Sequence, residues 1–174
     1  TSIDLAAPGS GILSTYNSSD TATASMSGTS MATPHVTGAV ALLAAYRPEL
    51  SVASLKATLL NTVDVLPAWA TYVKTSGRLN VFNALQNPTV CTFTPSITEI
   101  RVPTKGKVFD VLVTAPANCD YSIKPSSNWV KILSSKIASG TATITIRVPV
   151  NPTISRTATV AFGDQTLTIT QRRN

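Results

Sequence analysis

The chain has 174 residues, 43% of them hydrophobic and 13% charged, with a formal net charge of +6. That balance suits a folded, surface-polar protein rather than a disordered one, and no apolar run approaches the roughly 20 residues that span a bilayer. Four Lys/Arg face four Asp/Glu in the first 88 residues and ten face four in the remainder, so the whole positive excess belongs to the second half; it is scattered there without clustering or aromatic interleaving, which argues for a solvated surface and against nucleic acid as a partner.

The opening "TSIDLAAPG" has no initiator methionine and no basic stretch leading into an apolar one. No secretory signal is expected in it, and an upstream segment is expected to have been removed. "IDLAAPG" reads as a short buried strand edge closed by a Pro-Gly turn, and the polar residues 9–25 as a strand-and-loop approach to a helix. That helix is written in "SMATPHVTGAVALLAAY", whose small and apolar residues cover nearly all faces, as in a buried helix, with Pro48 after its end. Ser51 begins a second helix with Val52, Leu55, Leu59 and Leu60 as its apolar stripe. A short third helix is predicted over "NVFNALQ", capped by Asn80 and stopped at Asn87-Pro88.

After Pro88 the period becomes two. "KVFDVLVT" sets Phe109, Val111 and Val113 on one face, and "TATITIRV" sets Ala142, Ile144, Ile146 and Val148 against a row of threonines. "RTATVAFGDQTLTITQ" predicts two strands around Gly163-Asp164, with Ala158, Val160, Phe162, Leu167 and Ile169 inward. Further strands are expected at 97–102, 121–124 and 129–133. The sequence thus predicts an α/β segment over 1–88 and an all-β sandwich over 89–174.

Cys91 and Cys119, the two cysteines, both fall in the second half. They can be inert thiols or, in an exported protein, a disulfide, and the bridge is the expectation, with a contribution of roughly 3–4 kcal/mol to a small domain. Two thiolates without a nearby histidine cannot close a tetrahedral zinc shell.

The segment with chemistry in it is "MSGTSMATPHVTGAVALL", residues 26–43. A serine hydroxyl attacks carbonyls only when a base takes its proton and donors hold the oxyanion. Gly28 permits a tight turn and close substrate approach, and Ser30 then falls at a helix N-terminus, where unpaired N–H groups and the positive dipole end face developing negative charge. On position alone, Ser27, Thr29 or Ser30 can equally be a helix cap. His35 is poorly placed as the base: five residues of helix turn it about 140° from Ser30 and carry it about 7.5 Å along the axis. It reads as a hydrogen-bonded packing residue.

"GTSMATPHVTGAVALL" resembles the serine motif of the subtilisin-like serine proteases, and "GTSMATPH" is similar to the proteinase K branch of that family. "IDLAAPG" upstream and "SGRLNVFNAL" downstream resemble the strand before the serine loop and the closing segment, so the likeness runs over residues 1 to about 87. It implies that Ser30 is the acyl-forming nucleophile and its N–H one half of the oxyanion hole, with Gly28 and Thr29 supporting that hole. Met31 would pack beside the nucleophile, Met26 would border the leaving-group side of the cleft, and His35 would be structural. Asp4 matches a calcium-binding aspartate of the proteinase K branch, which allows a structural calcium in an intact enzyme, although the chemistry requires no cofactor.

The family's aspartate and histidine motifs, its oxyanion asparagine and its main specificity pocket have no counterpart in this chain. The resemblance therefore implies a secreted endopeptidase acting on protein or peptide substrates, with this chain inactive alone and dependent on an N-terminal part of the same protease as partner. The second half resembles a BACON-type, immunoglobulin-like accessory domain in "CTFTP", the Trp129 strand, "RTATV" and the closing "TLTITQ". That implies a carbohydrate or cell-surface ligand. The alternative is a non-catalytic binding module left after processing, autoproteolysis included.

Overall fold

The computed structural model describes residues 2–151 and 153–172, which form two compact units, one ending at Val90 and the other beginning at Cys91. Each is described separately.

In the first unit, β1 (Ile12–Thr15) and β2 (Thr23–Met26) form an antiparallel hairpin with Ile12 opposite Met26. Helix α1 (Thr29–Tyr46) follows after two residues, and α2 (Val52–Asn61) after a turn at Pro48. Ser51 caps α2, its hydroxyl accepting from the Ser54 N–H at 3.2 Å. Strands β3 (Asp64–Val65) and β4 (Gly77–Arg78) pair antiparallel around a 3-10 turn at Pro67–Trp69. Helix α3 (Val81–Gln86) is capped by Asn80, whose Oδ1 accepts from the Asn83 N–H at 2.8 Å.

Residues 3–9 depart from the expected strand. Their one bridge joins Ala6 in parallel to Arg78, flanked by Ala6 N–H to Gly77 O at 2.9 Å and Leu79 N–H to Ala6 O at 2.8 Å. The unit's buried apolar cluster is small: Ala39, Leu43, Leu50, Leu59 and Ala84. Of the 18 residues of α1 only Ala39 and Leu43 are buried, so the helix written as apolar on all faces is covered on one. Val52 at the head of α2 is 83% exposed, and Ala57 and Thr58 take the burial that the stripe assigned to it.

The second unit has two sheets. One has five strands in the order β10–β8–β12–β13–β6, and the other has four in the order β5–β7–β11–β9. Their ranges are β5 (Thr94–Pro95), β6 (Glu99–Val102), β7 (Lys107–Thr114), β8 (Asp120–Pro125) and β9 (Lys131–Ile132). The series ends with β10 (Ile137–Ser139), β11 (Ala142–Val148), β12 (Arg156–Phe162) and β13 (Gln165–Gln171). Pairing is antiparallel except between β13 and β6, where Ile169 lies beside Ile100.

Val111 and Val113 of β7 and Ile144, Ile146 and Val148 of β11 meet Ile123, Val160, Phe162, Leu167 and Ile169 of the other sheet in one buried cluster. The alternation in the sequence produces this directly, since every second side chain of a strand points to the same face. Trp129 precedes the two-residue β9 rather than opening a longer strand, and is partly buried against the cluster. The expected bridge is present: Cys91 and Cys119 are disulfide-bonded, with Cα atoms 5.5 Å apart.

Candidate active site

The turn into α1 is made by Gly28, at φ 157° and ψ 170°, a region that residues with a Cβ rarely occupy. Gly28 takes the N-cap position without a side-chain cap, and its carbonyl accepts from the N–H groups of Met31 at 3.1 Å and Ala32 at 3.3 Å. Thr29 and Ser30 are then the first two residues of the helix, both exposed. An N–H at the second helical position has no acceptor within the helix, so that of Ser30 remains directed toward whatever approaches the helix end.

Two hydrogen bonds tie this turn to the segment that enters β1. The Gly28 N–H donates to Gly9 O at 2.7 Å, and the Gly11 N–H donates to the Ser27 hydroxyl at 2.9 Å. A Cβ on Gly9 would lie 2.8 Å from Gly28 O and 3.1 Å from the Ala32 Cβ, so only glycine lets the two strands of backbone come this close. The sequence marks Ser27 as one candidate cap and Gly9 as the end of a Pro-Gly turn, and neither pattern signals a hydrogen bond to the Gly28 turn.

The other predicted residues distribute as follows. Thr29 accepts at its carbonyl from the Thr33 hydroxyl, 3.0 Å away. Met31 is half-buried beside Ser30 in the first turn, and Met26 is 46% exposed at the end of β2. His35 lies within 3.0 Å of Met31 O through Nδ1; a carbonyl only accepts, so Nδ1 carries the proton. The ring is held on its own helix as expected, yet it is exposed rather than packed, because nothing in the unit covers that side of α1. His35 is the chain's single histidine.

Asp4 stands with its carboxylate 3.2 Å from Lys74 Nζ, while its carbonyl accepts from the Thr75 N–H and hydroxyl. Calcium takes six to eight oxygen ligands. No group of three or more His, Cys, Asp or Glu that could hold a metal occurs among the described residues. The one carboxylate here already faces an ammonium, so a calcium shell at Asp4 would need most of its oxygens from outside the described residues.

Apolar space opens on the flanks of residues 3–9 and α1. One cleft of about 580 Å³ is lined by Ile3, Leu5, Gly28, Thr29, Trp69 and Tyr72 among others. A second, of about 460 Å³, is lined by Leu5, Val36, Val40, Val52, Leu55 and Leu60 among others.

Comparison with known proteins places these features in context. The family model described as Subtilase family, Peptidase S8, matches residues 1–91. Thermitase of Thermoactinomyces vulgaris is 46% identical over 84 residues, covering 48% of this chain and 28% of that protein. An extracellular protease of Xanthomonas campestris is 49% identical over 73 residues, 38% of this chain and 13% of that protein. The minor extracellular protease Vpr of Bacillus subtilis is 29% identical over 171 residues, 90% of this chain and 20% of that protein. The chain thus spans less than a third of the length of each of these relatives. No helix among the described residues is long and apolar enough to cross a membrane.

Proposed function

The chain belongs to the Subtilase family of Peptidase S8, and from that membership we propose that Ser30 is the nucleophile of a secreted subtilisin-like serine endopeptidase whose other catalytic groups lie outside this chain. The observation that carries the reading is the exposed Ser30 at the second position of α1, immediately after a turn that only glycine makes well. Ser30 Oγ attacks the scissile carbonyl carbon of a protein or peptide substrate. A histidine from the N-terminal part of the protease takes the hydroxyl proton and returns it to the leaving amine, and water then hydrolyses the acyl-enzyme. The Ser30 N–H donates to the oxyanion, with a second donor from the same missing part.

Gly28 and Thr29 support that hole, Met31 packs beside the nucleophile and Met26 borders the leaving-group side. His35 cannot replace the base, since five residues of helix turn it about 140° from Ser30 and carry it roughly 7.5 Å along the axis. By this reading the chain alone is inactive, and the apolar clefts beside residues 3–9 are where the N-terminal part of the same protease packs. No cofactor enters the chemistry; a structural calcium at Asp4 would draw most of its oxygens from outside this chain and compete with Lys74. The word "extracellular" in two of the relatives' names supports secretion, as does the disulfide.

The second unit is read as an immunoglobulin-like accessory domain of the BACON type, with a carbohydrate or cell-surface ligand. Its complete core favours a second reading as well: a unit that folds without help can persist as a non-catalytic binding module when the peptidase part is incomplete.

The test is fluorophosphonate labelling of the purified protein, with intact-mass measurement of everything that co-purifies. Labelling of Ser30 only when a companion polypeptide is present supports the reading. Undiminished labelling of the assembled protein after Ser30→Ala defeats it.

A further inference from the structure

Between the β1–β2 hairpin and α1 the backbone is fastened twice. The hairpin's last pair is Ile12 with Met26, at its open end. The next pair outward, Gly11 with Ser27, is closed by a side chain: the Ser27 hydroxyl accepts from the Gly11 N–H at 2.9 Å. One step further, Gly9 O accepts from the Gly28 N–H at 2.7 Å. Past this point the two chains diverge, one running back through residues 3–8 and the other entering α1.

Ser30 is two residues beyond Gly28, and its place is set by where the turn is held. Gly28 has no Cβ to wedge it, and its φ of 157° is one of many conformations a glycine samples freely. The freedom that lets the turn form would also let it wander, and the two hydrogen bonds remove it. Their donors are the amides of residues that flank or make the turn, and the one side chain among the four groups is that of Ser27. A hydroxyl at this position costs nothing to desolvate, because Ser27 is exposed; its absence would let water take the Gly11 N–H and release one of the two ties.

We propose that Ser27 is a positioning residue for the nucleophile: its hydroxyl closes the open end of the hairpin on Gly11 and so fixes the Gly28 turn that aims Ser30. The proposal rests on the reading of Ser30 as nucleophile. Holding a reacting group in line is worth orders of magnitude in rate, and a shift of an ångström is enough to lose much of it. Because the tie acts on Ser30 through the Gly28 turn rather than on the substrate, its loss appears in kcat and leaves KM in place. Because it is exposed, its loss leaves folding nearly untouched.

The experiment uses the full-length protease that contains this segment, with the variants Ser27→Ala, Ser27→Thr and Ser30→Ala. Competent sites are counted by fluorophosphonate titration, and kcat and KM are measured on a peptide anilide beside thermal unfolding. The expected result for Ser27→Ala is a kcat per titrated site lowered about 3- to 10-fold, with KM within about twofold and the unfolding midpoint nearly unchanged. Ser27→Thr, which keeps a hydroxyl, recovers most of the loss.

The proposal is overturned if Ser27→Ala retains kcat within twofold, if Ser27→Thr is as impaired as alanine, or if Ser27→Ala yields no folded enzyme, which would make the tie a folding contact. Ser30→Ala addresses the underlying reading separately: titratable sites that survive it show that the nucleophile is elsewhere, whatever Ser27 does.

Discussion

The guanidinium carbon of Arg156 lies 4.2 Å from the ring centroid of Trp129. The same side chain donates from Nε to Gln171 Oε1 at 2.9 Å and from Nη2 to Pro149 O at 3.3 Å. Gln171, fully buried, donates in turn to Pro103 O at 2.8 Å and Pro149 O at 3.1 Å. Trp129 is thus sandwiched between the core of the second unit and a clamped arginine. An indole packed against the core and under a clamped arginine is placed to hold structure together.

Trp129→Ala is therefore expected to cost about 2–4 kcal/mol of unfolding free energy, part cavity and part lost cation–π contact. Arg156→Lys keeps the charge but loses the flat stack and the Nε donation, and is expected to cost about 1 kcal/mol. Urea unfolding followed by far-ultraviolet circular dichroism measures both. A Trp129→Ala protein as stable as the parent would show that the ring is not part of the packed core.

Tyr121 is expected to behave in the opposite sense. Its ring packs at 4.9 Å from that of Phe93, yet its hydroxyl is buried without a hydrogen-bond partner among the described residues. Burial pushes the phenol above its usual range by disfavouring the charged form. Tyr121→Phe removes an unsatisfied group while keeping the ring, and is expected to be neutral or to stabilise by up to about 1 kcal/mol. The melting temperature checks it, and a clear decrease would mean that the hydroxyl is satisfied.

Asp64 gives the first unit an acid-sensitive joint. Its carboxylate accepts from Asn80 Nδ2 at 2.7 Å and from Arg78 Nη2 at 2.9 Å, and Asn80 is the residue that caps α3. The Asn80 hydrogen bond first, and then that of Arg78, hold the carboxyl below the ordinary carboxylate range. A group lowered in the folded state contributes its stability above its unfolded value and loses it as the pH falls through the folded one. The contribution is complete at neutral pH and decays below about pH 4. Asp64→Asn is expected to lower stability slightly at pH 7 and to flatten the acid limb of the stability curve; parallel curves for parent and variant would remove Asp64 from that role.

The second unit was legible because half of each strand's residues enter one core, and a buried face leaves a period-two trace in β7, β11, β12 and β13. The β1–β2 hairpin left none: six of its eight residues are exposed and no apolar face marks it. Residues 3–9 read as strand from their apolarity, whereas the backbone partners of Ile3, Asp4 and Ala6 lie some 70 residues onward at Lys74–Leu79 and supply a single bridge. The α1 pattern calls for cover on several sides that this unit does not provide. At the candidate site, Ser30 was legible from its motif. The Gly11–Ser27 contact was not, since one hydroxyl meeting one amide sixteen residues away leaves no pattern to read.

Cys91 is both the first residue of the second unit and one end of the disulfide to Cys119, which immediately precedes β8. The first strand of that unit, β5, has only two residues and pairs along the edge of β7. Under tension a strand so short would peel away one hydrogen bond at a time. The covalent bond moves the point of attachment: a pull arriving along the chain at Cys91 is borne by a sulfur bridge fixed beside a central strand, and β5 carries none of the load. A unit entered at Cys91 in this way does not unravel from that end while the sulfur bridge is intact.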